Sequence, residues 1–424
     1  MSFKLFQSFR MLLHKQRSYF LANLLGLSIG MASCLIIYAI TDFETSFDKF
    51  HKDSDRIYRV VSQFKDDNGI RLSKGSVYPL AKTLRSEVPG IEKAAAVFAS
   101  LDDQNQVHIY PGDSLAAPKV FKEQAVFYCE PQFFEIFNFP FLAGHPATAL
   151  NEPNSIVLSQ AVAEKYFGDW QSCLGKTLVY RNSRVCKVTG VLKNPPVNTD
   201  FPIHVAISFN SLRNAGSDDW VSSNGNLNTF IRLSSAQTPA VIDQALVQLT
   251  KKNKPERYQE DIFFLQPLAD IHSNSDFGNY NNHTFNKELE KALLLIGGFL
   301  LLIACVNFIN LATAQAVRRS KEVGIKKVLG SSRKRLILQF LTETFLISIL
   351  AATASVFIAV ISLPYFNQVL ETNAVIRFES GLVLFLAALA LGVTLVSGVY
   401  PSIIISAFRP IAVLKVKFSP GSGG

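Results

Sequence analysis

The sequence predicts a membrane protein: four transmembrane α-helices, with a large two-lobed α+β domain between helices 1 and 2. Three observations predict it. Four long apolar runs contain no lysine or arginine, and about 20 such residues suffice to cross the hydrocarbon core. Residues 42–290, between the first and second runs, alternate strand-like and helix-like patterns. Basic residues crowd three short stretches that flank the runs. Of the 424 residues, 48% are hydrophobic and only 18% charged, where a water-soluble protein carries about a quarter. That composition excludes a disordered chain, a collagen-like chain and a simple soluble enzyme.

Taken in order, residues 1–20 form a basic N-terminal segment and 21–41 the first span. That run is longer than the roughly 7–15 residues of a signal h-region, and no small-x-small cleavage site follows it, so it reads as a retained anchor. In the domain at 42–290, Arg56–Phe64 alternates like a strand and Tyr78–Val88 has helical spacing. Val157–Phe167 reads as a helix capped by Ser159 and stopped by Gly168. Thr177–Tyr180 and Val185–Val191 flank Arg181-Asn182-Ser183 as a hairpin, and Ala240–Leu249 is a further amphipathic helix. The middle of the domain, about 92–235, reads as an inserted lobe. Phe133, Phe134, Phe137, Phe139 and Phe141 fit either a buried core or an exposed docking patch. Residues 291–315 form the second span and 316–335 a cytoplasmic link. The third span occupies 336–363, ended by Pro364. A short loop at 364–380, the fourth span at 381–406 and a tail at 407–424 complete the chain.

Charge sets the orientation. Residues 1–20, the 316–335 link and the tail together hold 15 basic residues against Glu322 alone, a net +14, which leaves −5 for the rest of a chain whose total is +9. Positive flanks stay in the cytoplasm. Both termini and the link are therefore expected inside and residues 42–290 outside. Basic residues placed this way mark topology and exclude a nucleic-acid partner.

No catalytic, cofactor or metal constellation emerges. Gly26-Leu27-Ser28-Ile29-Gly30 has the spacing of a nucleophile elbow, but it lies inside a span, where Gly26 and Gly30 are better read as a GxxxG packing pair. Gly175-Lys176-Thr177 lacks the earlier glycine that a phosphate loop needs, and no Walker A motif occurs. The histidines form no HxxxH or Cys/His cluster. Asp270, His272 and Asp276 read as a solvated loop. Cys173 and Cys186 bracket the hairpin, either bridged or as free, partly buried thiols. Glu343, an acid inside the third span, is expected to pair within the bundle with Asn307 or Asn310 of the second.

The most informative stretch is Ala314–Leu336. Ile325, Val328, Leu329 and Leu336 make an apolar stripe against lysines and arginines. Glu322 and Lys326 have the favourable i, i+4 order. Gly330 suits a helix C′ position and Ser332 caps the next helix. A short amphipathic helix and a sharp turn follow, serving either as a basic anchor on anionic lipid or as a docking helix. The run Arg319-Ser-Lys-Glu322-Val-Gly324-Ile-Lys-Lys327-Val-Leu-Gly330 resembles the signature of the MacB/FtsX-like ABC transporter permeases. Asn23–Gly30, Phe133–Phe139, Leu142-Ala-Gly144, Ile156–Ser159, Ala163–Gly168, Val188–Val191, Tyr400-Pro401 and Phe408–Leu414 agree with it in order and spacing.

The resemblance implies a MacB-like periplasmic core domain and a cytoplasmic coupling helix built on Arg319, Glu322, Gly324, Lys327 and Gly330. It implies a partner ABC ATPase with a MacB/LolD-like nucleotide-binding domain. ATP would be used by that partner, and this chain would bind no cofactor. The resemblance further implies mechanotransmission for export of peptide, drug or lipoprotein, or for activating an envelope partner. The bacterial inner membrane, a second permease half or subunit, and a periplasmic or outer-membrane partner belong to the same expectation. The glycine-rich end fits either one half of an eight-span permease or a complete four-span subunit. The competing reading is a membrane receptor that senses a ligand with its outer domain. The absence of a cytoplasmic output domain weighs against it.

Overall fold

Long apolar sequence becomes long helix, because a backbone in hydrocarbon must satisfy its own hydrogen bonds. The computed structural model describes residues 17–66, 69–102, 104–110, 117–213 and 215–407. These form two units, one of residues 46–287 and one of the flanking segments. In the second unit, α1 is Arg17–Thr45, α5 Lys287–Val328, α6 Arg333–Leu370 and α7 Ser380–Ala407. All four are long and apolar enough to cross a membrane.

Leu27 and Met31 of α1, Ala304, Cys305 and Phe308 of α5, Ile347, Ala351 and Ala352 of α6, and Val393 of α7 form their shared core. Small residues let these backbones approach. A Cβ on Gly30 would stand 2.7 Å from the Ala304 Cβ, and one on Gly398 3.2 Å from Thr344 Cγ2. Buried Ser355, Ser402 and Ser406 return their hydroxyls to carbonyls on their own helices.

Two expectations change here. Pro364 does not end the third span, because α6 runs on to Leu370. A proline removes one donor, whereas breaking the helix would strip several carbonyls in an apolar medium. Glu371, left-handed at φ 55°, ends the helix instead, and Asn367 accepts from the Thr372 hydroxyl and donates to the Ala374 carbonyl. The link is not a separate helix either: α5 continues through it to Val328.

The domain of residues 46–287 is built on one sheet. Its strands are β1 Ile57–Asp66, β2 Gly69–Ser73, β3 Ile91–Ser100, β4 Gln106–Ile109, β5 Lys119–Lys122, β6 Val126–Cys129 and β7 Phe141–Ala143. They continue with β8 Ser155–Ser159, β9 Thr177–Tyr180, β10 Arg184–Leu192, β11 Val205–Ser208, β12 Leu227–Leu233 and β13 Ile262–Pro267. The order is β13-β1-β12-β3-β6-β11-β8-β10-β9-β4-β5, with β2 on β1 and β7 on β10. Most pairs are antiparallel; β6–β11 and β8–β10 are parallel. β3 and β12 pair with each other, and the chain between them supplies the far half of the sheet.

Helices α2 (Leu80–Glu87) and α4 (Pro239–Asn253) cover one end through Leu80, Leu84, Ile242 and Leu246. Helix α3 (Gln160–Phe167) covers the other through Val162, Ala163 and Tyr166. Ser159 accepts from the Val162 amide and Gly168 stops α3 at φ 81°; Val157 and Leu158, expected in that helix, belong to β8. The β9–β10 hairpin turns through the three residues 181–183, with Tyr180 paired to Arg184 and Arg181 and Asn182 at positive φ. The phenylalanines are core: Phe133, Phe134, Phe137 and Phe139 are buried with Phe201 and Phe230.

Candidate coupling site

The corner between α5 and α6 is assembled by local rules. The Ser331 amide donates to the Lys326 carbonyl and the Gly330 amide to that of Lys327, the paired bonds of a Schellman end. Gly330 sits at φ +86° with open space around it. The Ser332 hydroxyl accepts from the Arg335 amide at 3.4 Å and opens α6. Val323 of α5, Leu336 and Phe340 of α6 and Ile405 of α7 close the corner from inside.

The family-signature residues are placed as follows. Glu322 is exposed and accepts from Lys326 Nζ at 2.7 Å. Gly324 is buried in the chain's own bundle, so it does not present a bare backbone to a partner. Lys327 is half-buried. The side chain of Arg319 lies outside the described residues. The expected apolar stripe splits: Leu336 turns inward, while Ile325, Val328 and Leu329 stand 57%, 68% and 79% exposed.

Lys326 Nζ also reaches Gln339 Oε1 at 3.4 Å, and Gln339 Nε2 donates to Glu343 Oε1 at 3.2 Å. Glu343 thus bonds to a residue one turn before it on its own helix. Asn307 and Asn310 face the other way, exposed on α5. Glu343 lines a cavity of about 40 Å³ with Gln315, Thr344 and Ser402, larger than the roughly 10–15 Å³ that one water needs. Of the packing pair in α1, Gly30 meets α5 and Gly26 meets nothing within 4 Å.

A second polar centre lies inside the domain, and the sequence concealed it. His272 is buried, not solvated, and its Nδ1 lies 3.1 Å from Asp200 Oδ1. Asn279 donates to the same oxygen at 2.7 Å. Asp48 accepts from the Thr199 hydroxyl and the Asp200 amide. Burial holds the Asp200 carboxyl above the usual carboxylate range, against the His272 hydrogen bond. Arg59 lies beside this group and is buried. It donates to Gln266 Oε1 through Nε and Nη2 and to the Gly278 carbonyl through Nη2. Burial brings its pKa down to about 10. These bonds tie the segments that enter and leave the domain.

The tempting motifs resolve into structure. Ser28 donates to the Leu24 carbonyl at 2.6 Å within α1, so no nucleophile elbow forms. Gly175 and Lys176 lead into β9 and not into a helix N-terminus. Cys173 and Cys186 are free, buried thiols.

The family model of the MacB-like periplasmic core domain matches residues 20–249, and that of the FtsX-like permease C-terminal matches 294–410. The macrolide export ATP-binding/permease protein MacB of Bdellovibrio bacteriovorus is 25% identical over 43% of this chain and 27% of its own length. The pyoverdine export ATP-binding/permease protein PvdT of Pseudomonas syringae pv. syringae is 24% identical over 54% and 34%. MacB of Aggregatibacter actinomycetemcomitans is 20% identical over 84% and 53%. This chain therefore spans from a quarter to about half the length of these relatives. Among solved structures, a permease domain from Porphyromonas gingivalis gives a TM-score of 0.41 at 21% identity over 51% of this chain and 92% of that one. The periplasmic region of MacB from Actinobacillus actinomycetemcomitans gives 0.35 at 16% over 50% and 89%. One span, then a mixed-sheet core domain, then three spans: the chain belongs to the MacB/FtsX-like family of ABC transporter permeases.

Proposed function

We propose that this permease works by mechanotransmission in the bacterial inner membrane. A separate ABC ATPase binds and hydrolyses ATP and pushes on the cytoplasmic end of α5. The helix relays that displacement to the periplasmic core domain, which moves cargo or an envelope partner. The chain itself supplies helices and a docking surface, with no chemical step and no bound cofactor. Both termini and the 316–335 segment are cytoplasmic in this reading.

One observation carries it. Helix α5 runs unbroken for 42 residues, about 63 Å at 1.5 Å per residue, from the end of the domain to an exposed apolar tip. A continuous helix transmits an axial push, whereas a break between span and link would absorb it. The tip has the composition of a protein contact, with Ile325, Val328 and Leu329 outward and lysines beside them. Exposed Asn307 and Asn310 support a second membrane partner, because an amide facing lipid lacks the hydrogen bonds that another helix provides. We assign that face to a second permease half or subunit.

The test is co-purification with the candidate ATPase in detergent. The triple variant I325D/V328D/L329D changes only exposed side chains, so the bundle should stay folded. Binding should fall by about tenfold or more, as when the apolar centre of an interface is lost. Wild-type-like capture and ATPase stimulation by this variant would remove the tip from the docking surface.

A further inference from the structure

Four side chains make a continuous polar path around the corner from α5 to α6. Lys326 Nζ is shared between Glu322 Oε1 at 2.7 Å and Gln339 Oε1 at 3.4 Å. Gln339 Nε2 then donates to Glu343 Oε1 at 3.2 Å. The Glu322 end is open, with half of its side chain exposed. The Glu343 end lies about 15 Å further along α6, by 1.5 Å per residue from Arg333, on the cavity it shares with Thr344 and Ser402. The Gln339 amide is the one link with both a donor and an acceptor in use. Its oxygen must face the ammonium and its nitrogen the carboxylate.

We propose that Gln339 is a positioning residue of the coupling step. It carries the state of the Glu322–Lys326 pair at the docking end to Glu343 inside the bundle. Lys326 cannot hold both acceptors equally well. A cationic group of the motor that captures Glu322 releases Lys326 toward Gln339, and the tightened amide holds Glu343 against the cavity wall. A motor that withdraws lets Lys326 return to Glu322 and loosens Glu343. The corner thereby has two hydrogen-bonded arrangements, and two discrete arrangements are what a coupling element needs. The proposal rests on the reading that an ATPase docks at the end of α5.

The experiment uses the full chain co-expressed with its ATPase and reconstituted in liposomes, with co-purification and permease-stimulated ATP turnover measured together. E322K/K326E keeps an i, i+4 ion pair but presents a carboxylate to the Gln339 oxygen. Q339L cuts the path without touching the docking tip, and K326R keeps the donor. Q339L and the swap should lose stimulation by about tenfold, within the usual range of coupling between sites, while K326R stays near wild type. Q339L should still co-purify. Full stimulation in Q339L overturns the relay whatever the swap does. Full stimulation in the swap shows that Lys326 does not act through Gln339 and overturns it as well. A wild-type chain that neither captures nor stimulates the ATPase is a different result, since it removes the docking reading itself.

Discussion

Arg59 is buried in the domain and Lys74 half-buried beside it, and neither has a carboxylate in bonding distance among the described residues. Arg59 uses an amide and a carbonyl, and Lys74 Nζ donates to the Asn279 carbonyl at 2.6 Å. Lys74 faces Arg59, Asp200 and the Tyr280 ring. Burial first, then the charge on Arg59, lowers its pKa to about 8, against about 10.4 in an unfolded chain. The sign follows from proton counting. Between those values the unfolded chain binds the extra proton, so stability rises with pH from about 8 to 10.4. Below pH 8 both states are charged and the cost of burying the ammonium is present in full. K74M should therefore remove this rise, and the difference between wild type and variant should narrow above pH 8. Tryptophan fluorescence during denaturation at a series of pH values measures it cleanly, because both tryptophans, Trp170 and Trp220, lie in the domain. A difference independent of pH from 7 to about 10 would contradict the assignment.

At the scale of elements, the two glycines of the GxxxG pair in α1 give opposite expectations. A Cβ on Gly30 collides with Ala304, whereas Gly26 has open space. G30V should push α1 off α5 and lower the melting temperature of the detergent-purified protein. The loss should be about 1–3 kcal/mol, the usual range for overpacking. G26V should change it little. Equal sensitivity at both positions would mean that α1 packs on a different face. Spacing in the sequence identified the pair, but helical period cannot say which member faces a neighbour on another helix. The same limit applies to Gly324, whose place in the signature was legible and whose burial was not. The helix end at Gly330 and the Ser332 cap were fully legible, since each is set by no more than six consecutive residues. The continuity of α5 was hidden by the change from apolar to basic composition. That change marks where water begins and leaves helix propensity intact.

For the whole molecule, the order of one long apolar helix, a large domain and three more such helices was readable because it is written in composition and length alone. Sheet order was not: β1 pairs with β12 and β13, about 170 to 210 residues away, and no local pattern encodes such pairing. The Asp200–His272–Arg59 centre was invisible for the same reason, since its members become neighbours only when the sheet forms. Orientation is the strongest physical demand of the proposed function, because a motor driven by cytoplasmic ATP would have to find the α5 tip on its own side. The net +14 of the flanks against −5 elsewhere favours one orientation under the positive-inside rule. Single cysteines test it. The native thiols are buried or half-buried, so labelling by a membrane-impermeant maleimide should start from a low background. V197C, on a residue 64% exposed in the domain, should react in intact spheroplasts. I325C, at the exposed tip of α5, should react only in inverted vesicles. The reverse pattern would put the signature outside and leave the proposed motor nothing to push.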